Sequence, residues 1–212
     1  METAEKTVRI PIDSMMLEGL LAVPKRAKGI VIFAHGSGSS RKSPRNNYVA
    51  RELRENSVGT LLFDLLSEEE DYVHENRFNI ELLTRRLVAA TKWLTAQPEA
   101  KGKKIGYFGS STGSASALMA AAQLGNKISA IVSRGGRPDL AMMSLGMVKS
   151  PTLLLVGGND DTVIELNQQA FLHLKCKKEM ALIPGANHLF DEPGTLEDVA
   201  KLASKWFKEH LR

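Results

Sequence analysis

The chain has 212 residues, 43% apolar and 25% charged, with 28 Lys and Arg against 24 Asp and Glu for a net charge of +4. That mix excludes a disordered chain, and at about 150 residues per domain it predicts one domain over 1–212, large enough to bury a core without staples. The single cysteine, Cys176, excludes an intrachain disulfide, and the lysine clusters 101-KGKK-104 and 175-KCKK-178 lack the interleaved aromatics of a nucleic-acid footprint.

The N-terminus, 1-METAEKTVRIPIDS-14, carries no apolar core of signal-peptide length. No later window reaches the roughly 18 apolar residues of a membrane span, so a soluble, cytoplasmic chain without a membrane partner is expected. The runs 6-KTVRIPI-12 and 15-MMLEGLLAV-23, broken at Asp13-Ser14, predict an antiparallel hairpin. Six further runs read as strands: 29-GIVIFAH-35, 58-VGTLLFD-64, 104-KIGYFG-109, 128-ISAIVS-133, 152-TLLLVGG-158 and 179-EMALIPG-185. Short, nearly all apolar and rich in branched residues, they have the character of strands buried on both faces.

Helical spacing separates them. In 78–97, Ile80, Leu83, Leu87, Ala90 and Leu94 form one stripe. The segment 112-TGSASALMAAAQLG-125 is small and apolar nearly all round, which predicts a buried helix closed by Gly125-Asn126. Helices are predicted over 162–175, opened by a Thr162/Glu165 capping box, and over 195–212, with Thr195 and Asp198 in the same relation. Strands alternating with helices imply a mostly parallel sheet of about eight strands, flanked by helices, with the antiparallel hairpin at its N-terminal end.

Chemistry enters at 107-YFGSSTGSASAL-118. Gly109-Ser110-Ser111-Thr112-Gly113 reads G-x-S-x-G between a predicted strand and a predicted helix. A turn that sharp leaves no room for side chains two residues either side of its tip. It presents the tip residue at the sheet edge and at a helix N-terminus, where negative charge is favoured. The frame selects Ser111 as nucleophile and places Ser110 and Thr112 at the x positions; Ser114 and Ser116 fall inside the helix, and the role of Ser110 is left open.

A serine needs a base to take its proton and an acid to orient the base. Of the five histidines, His188 lies in 184-PGANHLFDEPG-194, after the last strand; His35, His74, His173 and His210 lie at a strand end, in a charged loop, within a helix and near the C-terminus. Asp160 and Asp161 both follow the strand in 152-TLLLVGGNDDTV-163; Asp161 stands where helix capping alone explains an acid, so Asp160 is preferred. The glycine-bearing loop 33-FAHGSGSS-40 follows the third strand. With the turn at Ser111 it offers the Ser37 and Thr112 N–H groups as an oxyanion hole. The loop lacks a complete G-x-G-x-x-G and the G-K-[ST] ending of a phosphate loop.

Through these motifs, with 64-DLLSEEE-70 and 133-SRGGRPDLA-141, nearly the whole chain resembles the α/β-hydrolase superfamily, and most of all the dienelactone hydrolase-like proteins. The resemblance implies an α/β-hydrolase fold and a serine hydrolase with the triad Ser111, Asp160 and His188. The D-x-x-V pattern of the family falls on Asp160 to Val163. A departure is the nucleophile: dienelactone hydrolases use cysteine, and this turn carries serine, which favours a general carboxylesterase over dienelactone hydrolysis. Lactone or thioester hydrolysis on small anionic substrates, and a non-catalytic binding role, are the alternatives.

Fewer than about 20 residues separate the strands at 128 and 152, room for a short helix at 138–146 but no cap domain, which predicts an open site for short or accessible acyl groups. Arg41, Lys42, Arg45, Arg134 and Arg137 follow strand tips on the expected active-site edge, and Arg41, Arg45, Arg134 and Arg137 are a candidate cationic rim for anionic substrates. No cofactor or metal is expected, and the expected partner is a small ester, with the chain a monomer or homodimer.

Overall fold

The computed structural model describes residues 4–212. In chain order its elements are β1 (Lys6–Ile12), β2 (Met15–Ala22), β3 (Gly29–Ala34), α1 (Pro44–Glu55), β4 (Gly59–Phe63), α2 (Glu68–Tyr72), α3 (Ile80–Thr95), β5 (Lys104–Ser110), α4 (Thr112–Leu124), β6 (Ile128–Arg134), α5 (Met142–Leu145), β7 (Thr152–Gly157), α6 (Asp161–His173), β8 (Lys178–Ile183) and α7 (Thr195–His210). The eight strands form one sheet in the order β1-β2-β4-β3-β5-β6-β7-β8. β2 pairs antiparallel with both β1 and β4, and every other pairing is parallel. This is the α/β-hydrolase architecture, mostly parallel with an antiparallel N-terminal hairpin.

Alternation along fully buried strands divides the interior into two cores. Ile30, Ile32 and Ala34 of β3 face a layer containing α3 and α4 residues such as Leu87, Leu94 and Leu118. Val31 and Phe33 face the opposite layer, with Val49 and Leu53 of α1 and Trp206 and Phe207 of α7. Removing each such large apolar side chain from water stabilises the fold by about 1.5–3 kcal/mol. The apolar strands are the ones covered on both faces; β8 is the exception, an edge strand with Glu179 and Leu182 exposed.

Local signals explain where the structure departs from the sequence pattern. α1 leaves no clear periodic signal in the sequence: its segment is charged, and its buried stripe is narrow, just Asn46, Val49, Ala50 and Leu53. It starts because Ser43 accepts a hydrogen bond from the Asn46 N–H at 3.3 Å and Pro44 fits the first turn. The Thr162/Glu165 box does not form: α6 begins one residue earlier, with Asp160 at the N-cap. The Thr195/Asp198 relation fails as well. Gly194, at φ 84°, occupies that N-cap, and the Thr195 hydroxyl donates to the Glu192 carbonyl at 2.8 Å.

Between β6 and β7 the chain has just a short helical turn at Pro138–Ala141 followed by α5. No described helix is long and apolar enough to cross a membrane.

Candidate active site

β5 delivers the chain to the carboxyl edge of the sheet, and α4 begins two residues after the strand ends. The turn between them holds Ser111 at φ 49°, ψ −122°, a conformation that strains a residue with a side chain. The bracketing glycines are sterically required. A Cβ on Gly109 would lie 2.5 Å from Ser114 Cα, and one on Gly113 would lie 2.1 Å from the Ala34 carbonyl oxygen. Backbone hydrogen bonds pin the tip: the Ser111 N–H donates to the Arg134 carbonyl (3.2 Å), and the Ser111 carbonyl accepts from the N–H groups of Ser114 (3.0 Å) and Arg137 (3.1 Å).

The other serines have separate partners. Ser110 donates its hydroxyl proton to Asn46 Oδ1 of α1 at 3.0 Å, which ties the strand end to that helix. Ser114 Oγ accepts from Ser133 Oγ at 2.9 Å, and Ser116 donates to the Gly113 carbonyl at 2.9 Å. Thr112 opens α4, and its buried hydroxyl has no partner among the described residues.

His188 and Asp160 are brought together by two loops that interlock at the ends of β7 and β8. The Asn159 N–H donates to the Ala186 carbonyl at 2.9 Å, and a Cβ on Gly157 would lie 2.5 Å from that same oxygen. The outcome is a hydrogen bond of 2.8 Å between His188 Nδ1 and Asp160 Oδ2, with the Asp160 side chain 16% exposed and that of His188 41% exposed. A carboxylate can only accept, so Nδ1 carries the proton and Nε2 keeps its lone pair. Asp161, an exposed residue, starts α6 instead. The imidazole lies over Gly135: a Cβ there would be 3.7 Å from His188 Cε1. Gly135 falls between the two residues, Arg134 and Arg137, whose backbones hold Ser111.

The loop after β3 completes the edge. Gly36 is pressed against the nucleophile, its added Cβ 3.1 Å from Ser111 Cβ, and the exposed Ser37 follows it. The buried His35 binds at both ring nitrogens. Nδ1 is 3.0 Å from the Gly36 carbonyl, and Nε2 accepts the Leu65 N–H at 3.0 Å. Burial lowers its pKa, opposed by the Gly36 hydrogen bond and by the charges of Asp64 and Asp71. Beside this loop opens a cleft of 550 Å³ lined by His35, Ser39, Arg41, Asp64, Asp71 and Tyr72 among others.

The four arginines do not form a continuous free rim. Arg41 is paired with Asp64 and Glu18, Arg45 with Asp191 at 2.9 Å, and Arg137 with Asp139 at 2.8 Å. Arg134 is buried, with its Nε and Nη1 lacking an acceptor among the described residues and its guanidinium 5.8 Å from the centre of the Phe190 ring. Burial, reinforced by the neighbouring charge of Arg45, brings its pKa down to about 10. Among the described residues no cluster of three or more His, Cys, Asp or Glu side chains could hold a metal ion.

The model of the dienelactone hydrolase family matches residues 17–211. Two Mycobacterium tuberculosis chains, named as phosphoribosyl transferases, are 53% identical over 207 residues, covering 98% of this chain and 47% of each of theirs. The chain thus spans about half the length of these curated relatives. A dienelactone hydrolase structure from Anabaena variabilis is 50% identical, with a TM-score of 0.97 and full coverage of both chains. Est1E from Butyrivibrio proteoclasticus, 18% identical with a TM-score of 0.83 over 96% of this chain and 98% of its own, shares the fold.

Proposed function

This chain belongs to the dienelactone hydrolase family, and from that premise we propose that it is a serine hydrolase that cleaves short or accessible carboxylic esters through an acyl-enzyme on Ser111. The observation that carries the proposal is the 2.8 Å bond between Asp160 and His188 at the sheet edge where the strained Ser111 turn is presented. Asp160 orients the imidazole and stabilises the imidazolium that forms in the reaction. Nε2 takes the Ser111 proton as Oγ attacks the ester carbonyl. The Ser37 and Thr112 N–H groups hold the oxyanion, a contribution of about 3 kcal/mol per aligned donor. The imidazolium returns its proton to the departing alcohol. Water then attacks the acyl-enzyme, giving up a proton to His188, and the acid leaves as Ser111 recovers its own.

Short acyl groups are favoured because the β6–β7 connection carries no lid helix pair to shelter a long chain. Three of the four arginines at the edge are neutralised by carboxylates, which favours neutral esters. The unpartnered nitrogens of Arg134 support the second reading, a small anionic ester or lactone. The transferase name of the mycobacterial relatives belongs to chains more than twice as long, of which this chain matches 47%, and it carries no weight in this reading.

Labelling with a fluorophosphonate, followed by mapping of the modified peptide, tests the nucleophile: the adduct is expected on Ser111 and absent in Ser111→Ala. Ser111→Ala should also lower kcat by on the order of 10⁶-fold if the three side chains act as a unit. Faster turnover of long-chain than of acetate or butyrate esters would overturn the substrate class. A carboxylated ester compared with its neutral analogue at low and high salt separates the two readings.

A further inference from the structure

We propose that His35 is a positioning residue for the oxyanion hole: its Nδ1–H fixes the Gly36 carbonyl, and through the shared peptide plane it aims the Ser37 N–H at the reacting oxygen. The inference rests on the serine hydrolase reading and adds to it a residue outside the triad.

The tautomer follows from the partners. A backbone N–H can only donate, so the Leu65 contact at 3.0 Å requires a bare Nε2 and leaves the ring proton on Nδ1. The group opposite Nδ1, at 3.0 Å, is the Gly36 carbonyl, which can only accept. Each contact therefore demands the same neutral ring. The Ser39 N–H adds a second bond to the same carbonyl at 3.2 Å.

Two donors on one carbonyl set the rotation of its peptide unit. In a trans peptide the N–H of the next residue points opposite to the C=O, and no cis peptide is present among the described residues. Turning the Gly36 oxygen toward His35 thus turns the Ser37 N–H the other way. Gly36 itself sits against the nucleophile, 3.1 Å from Ser111 Cβ as judged by its added Cβ. Without the ring, a glycine peptide in a loop rotates easily, and the donor loses its alignment.

The anchor is rigid because it spans two strand ends, β3 through His35 and β4 through Leu65. The charged groups that line the clefts beside the ring are Asp64 after β4, Glu68 and Asp71 of α2, Arg77 in the turn after α2, Glu18 of β2, and Arg41 and Lys42 of the loop. Protonation would put a second donor against the Leu65 N–H, so the working form is the uncharged one.

The test uses two substitutions that each keep one half of the imidazole. His35→Asn places an amide N–H near the position of Nδ1 and loses the acceptor for Leu65. His35→Gln places an amide oxygen near the position of Nε2 and loses the donor to Gly36. With a p-nitrophenyl acetate assay, kcat of His35→Gln is expected to fall about tenfold or more below that of His35→Asn, with KM changed by less than about threefold. Equal kcat in the two variants, or a loss that appears in KM alone, overturns the proposal. Where a variant fails to fold, ¹⁵N NMR of the wild-type imidazole decides: a ring protonated on Nδ1 is expected, and one protonated on Nε2 overturns it. If the wild-type chain turns over no ester, or Ser111→Ala turns over as fast, the hydrolase reading falls and this inference with it; Ser111-dependent turnover with equal His35 variants removes this inference alone.

Discussion

Ser111 is held in a conformation that costs about 1–3 kcal/mol for a residue with a Cβ. Ser111→Gly should therefore raise the urea midpoint while abolishing ester turnover; a midpoint below that of the wild type would show that the φ of 49° carries no strain. The flanking positions behave oppositely. Gly113→Ala forces a methyl to within 2.1 Å of the Ala34 carbonyl oxygen, so it should cost several times the about 1 kcal/mol typical of a point mutation and displace the loop after β3. Asp160→Asn should leave the fold intact and reduce kcat by about 10⁴-fold, through loss of the tautomer and of the charge facing the imidazolium. These positions were legible because steric demand and strand-tip placement leave a pattern in the chain. The role of His35 was not, since it depends on a contact with Leu65 that no local pattern predicts. The arginines show the same gap: the sequence displays the charge of Arg41, and the fold supplies Asp64 and Glu18 to neutralise it.

Among the elements, α1 shows where periodicity fails as a guide. A helix with a narrow apolar stripe and many charges gives little signal, yet it covers one face of the sheet and holds Ser110 through Asn46. Its start rests on the Ser43 hydroxyl together with Pro44. Ser43→Ala should destabilise the protein by about 1 kcal/mol, a shift of about 2–4 °C in Tm for a chain of this size. An unchanged Tm by calorimetry would mean that Pro44 alone fixes the start. The buried strands were legible from composition, because a strand covered on both faces must be apolar throughout. The caps of α6 and α7 escape the sequence because Thr162 and Thr195 match a cap motif, while the N-cap lies two residues earlier at Asp160 in α6 and one residue earlier at Gly194 in α7.

For the whole molecule, two imidazoles, the buried His35 and the partly buried His210, contribute to the acid side of stability. His35 and His210 both have pKa values lowered chiefly by burial. The unfolded chain takes up protons near the ordinary histidine pKa of about 6.5, and the native chain resists. At any pH between the lowered values and that ordinary one, the unfolded state binds more protons, so stability falls as pH decreases; above it these two groups contribute no pH dependence. Urea midpoints should be lower at pH 5.5 than at pH 7.5, and a rise on acidification would contradict this.

The sheet order also says when the site comes into being. Ser111 follows β5, Asp160 follows β7 and His188 follows β8, with β6 lying between the first two and β8 at the open edge. Parallel neighbours cannot register until the crossover between them has closed, and pairings so distant along the chain form slowly. On dilution from denaturant, helical signal should therefore return before ester turnover does. Activity is then a clock for folding, one that starts when the last strand arrives.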